Sequence, residues 1–108
     1  MLPYTIEEIR QRGTPVAEKY RLAAVWVFGS YARGKADADS DVDLLVDLRG
    51  ADIHGLDYGG LYHDLEQALE QELDMVDLIA LEEPTDRRGL LRFRDAVKRE
   101  RIMIYGAA

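Results

Sequence analysis

The sequence predicts an α/β chain in which short strands alternate with helices, and three observations predict it. Apolar runs of strand length, rich in β-branched and aromatic residues, recur at 22–28, 41–47 and 75–81. Between the last two, Leu61, Leu65, Ala68, Leu69 and Leu73 fall at helical spacing. Glycines, aspartates and a proline punctuate the junctions.

Taken in order, Thr5-Ile-Glu-Glu8 opens the first helix with a capping-box pattern, Thr5 capping and Glu8 reaching back. Gly13 and Pro15 interrupt the periodicity, which predicts one helix over 5–12 and a second over 14–21, with Pro15 in its first turn. Leu22 to Phe28 reads as a central strand. Residues 30–34 form one helical turn, 35–40 a polar loop, and Asp41 to Asp47 the second strand. The stretch 49–60, with four glycines and two aspartates, reads as a mobile loop or lid. A helix follows over about 57–72, a third strand over 75–81, and a last helix over 86–99 with Leu90, Leu91, Phe93 and Val97 as its apolar positions. Residues 101–105 add a short closing strand.

At 108 residues the chain is expected to be one domain able to bury a single core. It has no cysteine, which excludes thiolate metal sites and disulfides. No apolar stretch approaches the ~18 residues of a membrane span, and the N-terminus lacks the pattern of a secretion signal. A cytoplasmic protein is the simplest expectation. The net charge of −7, from 21 acidic and 14 basic residues, disfavours a grip on a long nucleic acid. The basic cluster from Arg87 to Arg101 is interleaved with Asp95 and Glu100 and reads as a solvated or partner-facing helix surface.

The residues that carry chemistry lie between 28 and 46. Gly29 lets the backbone approach phosphates closely, and Ser30 offers a hydroxyl and an N–H. Ten residues later come Asp41 and Asp43, which on a strand share a face. Two converging carboxylates repel unless a cation sits between them, and oxygen ligands of this kind suit Mg²⁺. Two ions roughly 4 Å apart would activate an attacking oxygen and stabilise a leaving pyrophosphate. Asp77 interrupts the apolar run Met75-Val76-Asp77-Leu78-Ile79, and a lone buried charge is costly unless paired or metal-bound, so it is the candidate third carboxylate. Asp74 is read as a turn residue and Asp47 as a solvent-exposed strand end. Arg33 and Lys35 are the nearest cations. Arg33 could meet phosphate or a partner, whereas Lys35 reads as solvated. Tyr31 could pack or face ligand, Trp26 and Phe28 belong to the core, and His54 and His63 show no ligand spacing.

Gly29-Ser30, ten residues and Asp41-Val42-Asp43 together resemble the signature of the DNA polymerase β-like nucleotidyltransferase superfamily. The fuller string Phe28-Gly-Ser-Tyr-Ala-Arg-Gly34 is similar to the minimal nucleotidyltransferases, and the likeness extends to Val76-Asp77-Leu78 and Ile102 to Tyr105. The resemblance implies a small mixed sheet with helices mainly on one face, and a single catalytic domain over 1–108. It implies transfer of AMP from ATP with two Mg²⁺ ions. Asp41 and Asp43 would bind both ions, Asp77 would complete the site, and Gly29, Ser30 and Arg33 would hold the triphosphate. Such proteins are commonly antitoxins that modify a tyrosine of a HEPN ribonuclease toxin. The expectation is therefore a protein adenylyltransferase with a HEPN-domain partner, and no direct contact with nucleic acid or membrane. The alternatives are a binding module that neutralises its partner by occlusion, and transfer to a small molecule.

Overall fold

The structure, a computed structural model, describes residues 2–107. Four strands, β1 (Ala24–Phe28), β2 (Val42–Asp47), β3 (Leu73–Asp77) and β4 (Ile102–Gly106), form one mixed sheet in the order β3-β2-β1-β4. β1 runs antiparallel to both β2 and β4, and β2 and β3 run parallel. The helices are α1 (Ile6–Lys19), α2 (Gly29–Ala32), α3 (Asp57–Leu69), α4 (Leu78–Leu81) and α5 (Arg88–Glu100). None of them is long and apolar enough to cross a membrane.

Alternation along the strands divides the core. Val42, Leu44 and Val46 of β2 join Val25, Val27, Leu73 and Ile104 in the larger cluster, closed by Ile9 and Ala17 of α1 and Leu61, Leu65 and Leu69 of α3. Leu45 points the other way, into a smaller cluster with Phe28, Leu78, Leu81 and Val97. The main helical layer lies on one face, while α4 and α5 close part of the other. Trp26 sits at the edge of this smaller cluster with the Arg101 guanidinium over its ring, 4.6 Å from the centroid.

The expected capping box is present: the Glu8 N–H donates to Thr5 Oγ1, and the Thr5 N–H donates to Glu8 Oε1. The expected break at Gly13 and Pro15 is absent, for α1 is continuous. Ile9, Gly13 and Ala17 are all buried and four residues apart, so one packed stripe runs through the proline in phase. Burial of that stripe outweighs the one backbone bond Pro15 cannot make.

The third strand also differs from its expected span. It begins at Leu73 and ends at Asp77, and residues 78–81 form a helical turn. Asp77 is the N-cap of that turn, its Oδ1 accepting the Ile79 N–H at 2.9 Å. A second correction concerns Asp47. It is buried, not exposed, and Arg49 holds it through a two-pronged pair with distances of 2.6 and 2.9 Å.

Candidate active site

One end of the sheet gathers the chemistry. β1 finishes there, while β2 and β3 start there. Phe28, the last residue of β1, lies opposite Asp43, and Asp43 lies opposite Asp74. Residues in register share a face, so Asp74 and Asp43 stand side by side toward α5. Gly29 follows Phe28 directly and takes a positive φ of 73°. A Cβ built at Gly29 would come within 1.9 Å of Asp43 Oδ2, so only glycine leaves room for that carboxylate.

Asp77 does not join this group. It lies opposite Val46 at the other end of β3, roughly 10 Å along the strand from Asp74 and on the other face. The structure therefore does not bring Asp77, the expected third carboxylate, to Asp43, and Asp74, expected in a turn, lies in β3 beside it. The signal was present in Leu73-Asp-Met-Val76, an apolar–polar alternation starting two residues earlier than the expected strand. Asp41 lies exposed, immediately before β2, and its charge reaches Asp43.

Burial pushes the Asp43 carboxyl up to about 6, and the adjacent Asp74 and then Asp41 add to the rise, with Arg33 opposing it. This is a crowded carboxylate cluster short of positive charge. A hard cation would relieve it, and the all-oxygen donor set fits Mg²⁺. Among the described residues no three acids stand close enough to enclose an ion by themselves. The fit is thus to an ion that keeps waters and takes further oxygens from a bound phosphate, as Mg²⁺ does.

A cleft of about 530 Å³ opens beside the acids. Asp43, Asp74, Gly29, Arg33 and Glu100 supply its polar wall, and Phe28, Val76, Phe93 and Ala96 its apolar one. Phe93 is 40% exposed and meets Phe28 edge to face, the centroids 5.9 Å apart. Tyr31 settles as a packing residue, 5% exposed in the larger core. Glu100 was not foreseen. Its Oε1 accepts the Gly29 N–H at 3.1 Å and its Oε2 pairs with Arg33 Nη1 at 3.0 Å. No local signal reveals it, since 71 residues separate it from Gly29.

The family model of the nucleotidyltransferase domain matches residues 6–104. The chain belongs to the nucleotidyltransferase domain family. It is 35% identical over 71 residues to a Methanocaldococcus jannaschii protein provisionally named a protein adenylyltransferase, an alignment spanning 66% of this chain and 75% of that one. A solved structure provisionally named a minimal nucleotidyltransferase is 32% identical, with a TM-score of 0.67 over 94% of this chain and 98% of that one. The fold is also shared with a chain from a Shewanella oneidensis complex of a tri-AMPylated HEPN toxin with an MNT antitoxin. There the TM-score is 0.53 at 20% identity, over 92% of this chain and 73% of that one. The nucleotidyltransferase described here is therefore an enzyme of known class, and its substrate is a nucleotide.

Proposed function

We propose that this nucleotidyltransferase moves AMP from ATP to a hydroxyl, a tyrosine hydroxyl, on a HEPN-type toxin and so acts as its antitoxin. The observation that carries the transfer chemistry is the juxtaposition of Asp43 and Asp74 with the Gly29 turn at the mouth of one cleft. The protein acceptor is supported by the chemistry named for the M. jannaschii relative and by the modified toxin of the Shewanella complex.

In this reading Ser30 and Arg33 hold the triphosphate, and Gly29 lets it lie close to the backbone. Asp41, Asp43 and Asp74 would hold Mg²⁺, which would supply charge neutralisation at the phosphates and activation of the attacking oxygen. The acceptor oxygen forms a bond to the α-phosphorus, the bond from that phosphorus to the bridging oxygen breaks, and pyrophosphate leaves. The hydroxyl proton passes to a carboxylate of the cluster, of which Asp74 is the exposed strand member. Phe93 and Val76 give the cleft an apolar wall against which a nucleoside can rest.

The test is the intact mass of a HEPN toxin co-expressed with this protein or with its Asp41→Asn/Asp43→Asn variant. Whole AMP units gained only with the wild type are the expected result. Equal toxin masses, with both versions still bound and neutralising, would leave a non-catalytic binding module in place of the enzyme.

A further inference from the structure

Glu100, the last residue of α5, reaches into the cleft wall with one carboxylate and engages two different groups of the turn. One oxygen accepts the Gly29 N–H at 3.1 Å, and the other meets the Arg33 guanidinium at 3.0 Å. Both distances are those of good hydrogen bonds, and the Arg33 contact is charge-assisted. The Glu100 side chain is 20% exposed and that of Arg33 is 50% exposed, so the pair is partly shielded from water. A carboxylate at the C-terminal end of a helix is disfavoured by the helix dipole, and the acids Asp43 and Asp74 line the same cleft. The cations of α5 offset part of that cost without fixing where the carboxylate sits. The two bonds to the turn are what hold it.

The contact leaves the turn competent for a ligand. A guanidinium carries five N–H donors, and Glu100 engages Arg33 through Nη1 alone. Ser30, the other expected phosphate donor, is untouched by Glu100. We propose that Glu100 is a positioning residue for nucleotide binding. It fixes the Gly29 turn and points Arg33 into the cleft, acting through those two groups and not by touching the reacting atoms. This rests on the nucleotidyl-transfer reading, because the group being positioned is a phosphate-binding one. Ordering Arg33 before the nucleotide arrives removes part of the entropy lost on binding.

The opposite role is physically available: a carboxylate on phosphate-binding donors could compete with phosphate. The two differ in sign. The experiment measures, on the full chain with Mg²⁺, the dissociation constant of α,β-methylene ATP, which binds but cannot transfer. The proteins compared are the wild type, Glu100→Gln, Glu100→Ala, Arg33→Ala and the Arg33→Ala/Glu100→Ala double variant. If Glu100 positions, Glu100→Ala weakens binding about tenfold, the size expected for a partly exposed charge-assisted contact. Glu100→Gln falls between, since its amide oxygen can still accept the Gly29 N–H but offers Arg33 no charge. The double variant is no more than about twofold weaker than Arg33→Ala alone, because Glu100 works largely through that side chain. Unchanged or tighter binding by Glu100→Gln overturns the proposal, tighter binding marking Glu100 as a competitor. Glu100→Gln keeps the shape of the side chain and decides the matter even if Glu100→Ala does not fold. Wild-type protein that binds no nucleotide overturns the nucleotidyl-transfer reading and this proposal together. Binding by the wild type that the Glu100 variants leave intact overturns this proposal alone.

Discussion

Asp43 and Gly29 are coupled by space: the carboxylate occupies the volume a side chain at 29 would need, and the backbone at 29 has a left-handed φ. Gly29→Ala therefore meets both backbone strain and a displaced acid. Transfer should fall at least about 100-fold, from strain and lost metal geometry combined, while the far strands keep their fold. Steady-state transfer rates together with circular dichroism would show it. Asp43 itself carries a stability cost. Its carboxyl titrates near 6 in the folded chain against 3.8 as the ordinary value, so between those two pH values the folded form keeps a proton the unfolded form gives up. Stability accordingly falls as pH rises through that window, and the loss is complete above it. Asp43→Asn should abolish transfer yet stabilise the metal-free protein by about 1–2 kcal/mol near pH 7.5, with the gain disappearing below about pH 4. Urea unfolding in chelator at the two pH values checks the sign.

Among the elements, β3 decides which acid stands beside Asp43. Pairing parallel to β2 with Asp74 against Asp43 sets Asp77 at the far end, where it caps α4 instead. The two acids should separate cleanly by experiment. Asp74→Asn removes a carboxylate from the cluster and should cost about 100-fold or more in transfer, with little change in melting temperature. Asp77→Ala loses a cap and should cost about 1 kcal/mol of stability, leaving the transfer rate at saturating nucleotide unchanged. A rate collapse in Asp77→Ala with full activity in Asp74→Asn would reverse the assignment. The sequence points to Asp77 on the third strand, whereas the parallel register sets Asp74 beside Asp43, because register decides which acid faces which without altering composition. The break expected in α1 has a related cause: a proline is visible locally, whereas the stripe of Ile9, Gly13 and Ala17 matters only once β4 and α3 lie against it.

The molecule as a whole is unequally built. Its larger core is sealed under α1 and α3, while α5 inserts one fully buried residue, Val97, and leaves Phe93 half out. The candidate site lies on the thinner side, against α5. Regions with little buried apolar contact open first, so native-state hydrogen exchange should show α5 amides exchanging at least about tenfold faster than those of α3. Equal protection would mean that α5 is held by more than Val97 and Glu100. Charge follows the same division, for a chain of net −7 concentrates half of its 14 cations between Arg87 and Arg101. The helix that borders the cleft is thus the basic part of an acidic molecule.

Short-range chemistry is legible directly along the chain. Thr5 and Glu8 specify a helix start. The apolar run into Gly29-Ser30 marks a strand entering a tight turn, and Asp41-Val42-Asp43 followed by Leu44 to Val46 marks a strand with acids at its mouth. Each depends on residues within a few positions of one another, so each is legible in order along the chain. Three features come from packing instead: Asp74 and not Asp77 faces Asp43, Asp47 is buried on Arg49, and Glu100 reaches the Gly29 turn. The first and third are contacts across 31 and 71 residues, set by strand register and by where α5 ends. The Arg49 pair is local, yet nothing local says that Asp47, at the end of an interior strand, is buried. Burial and register belong to the assembled sheet, and no window of sequence contains them.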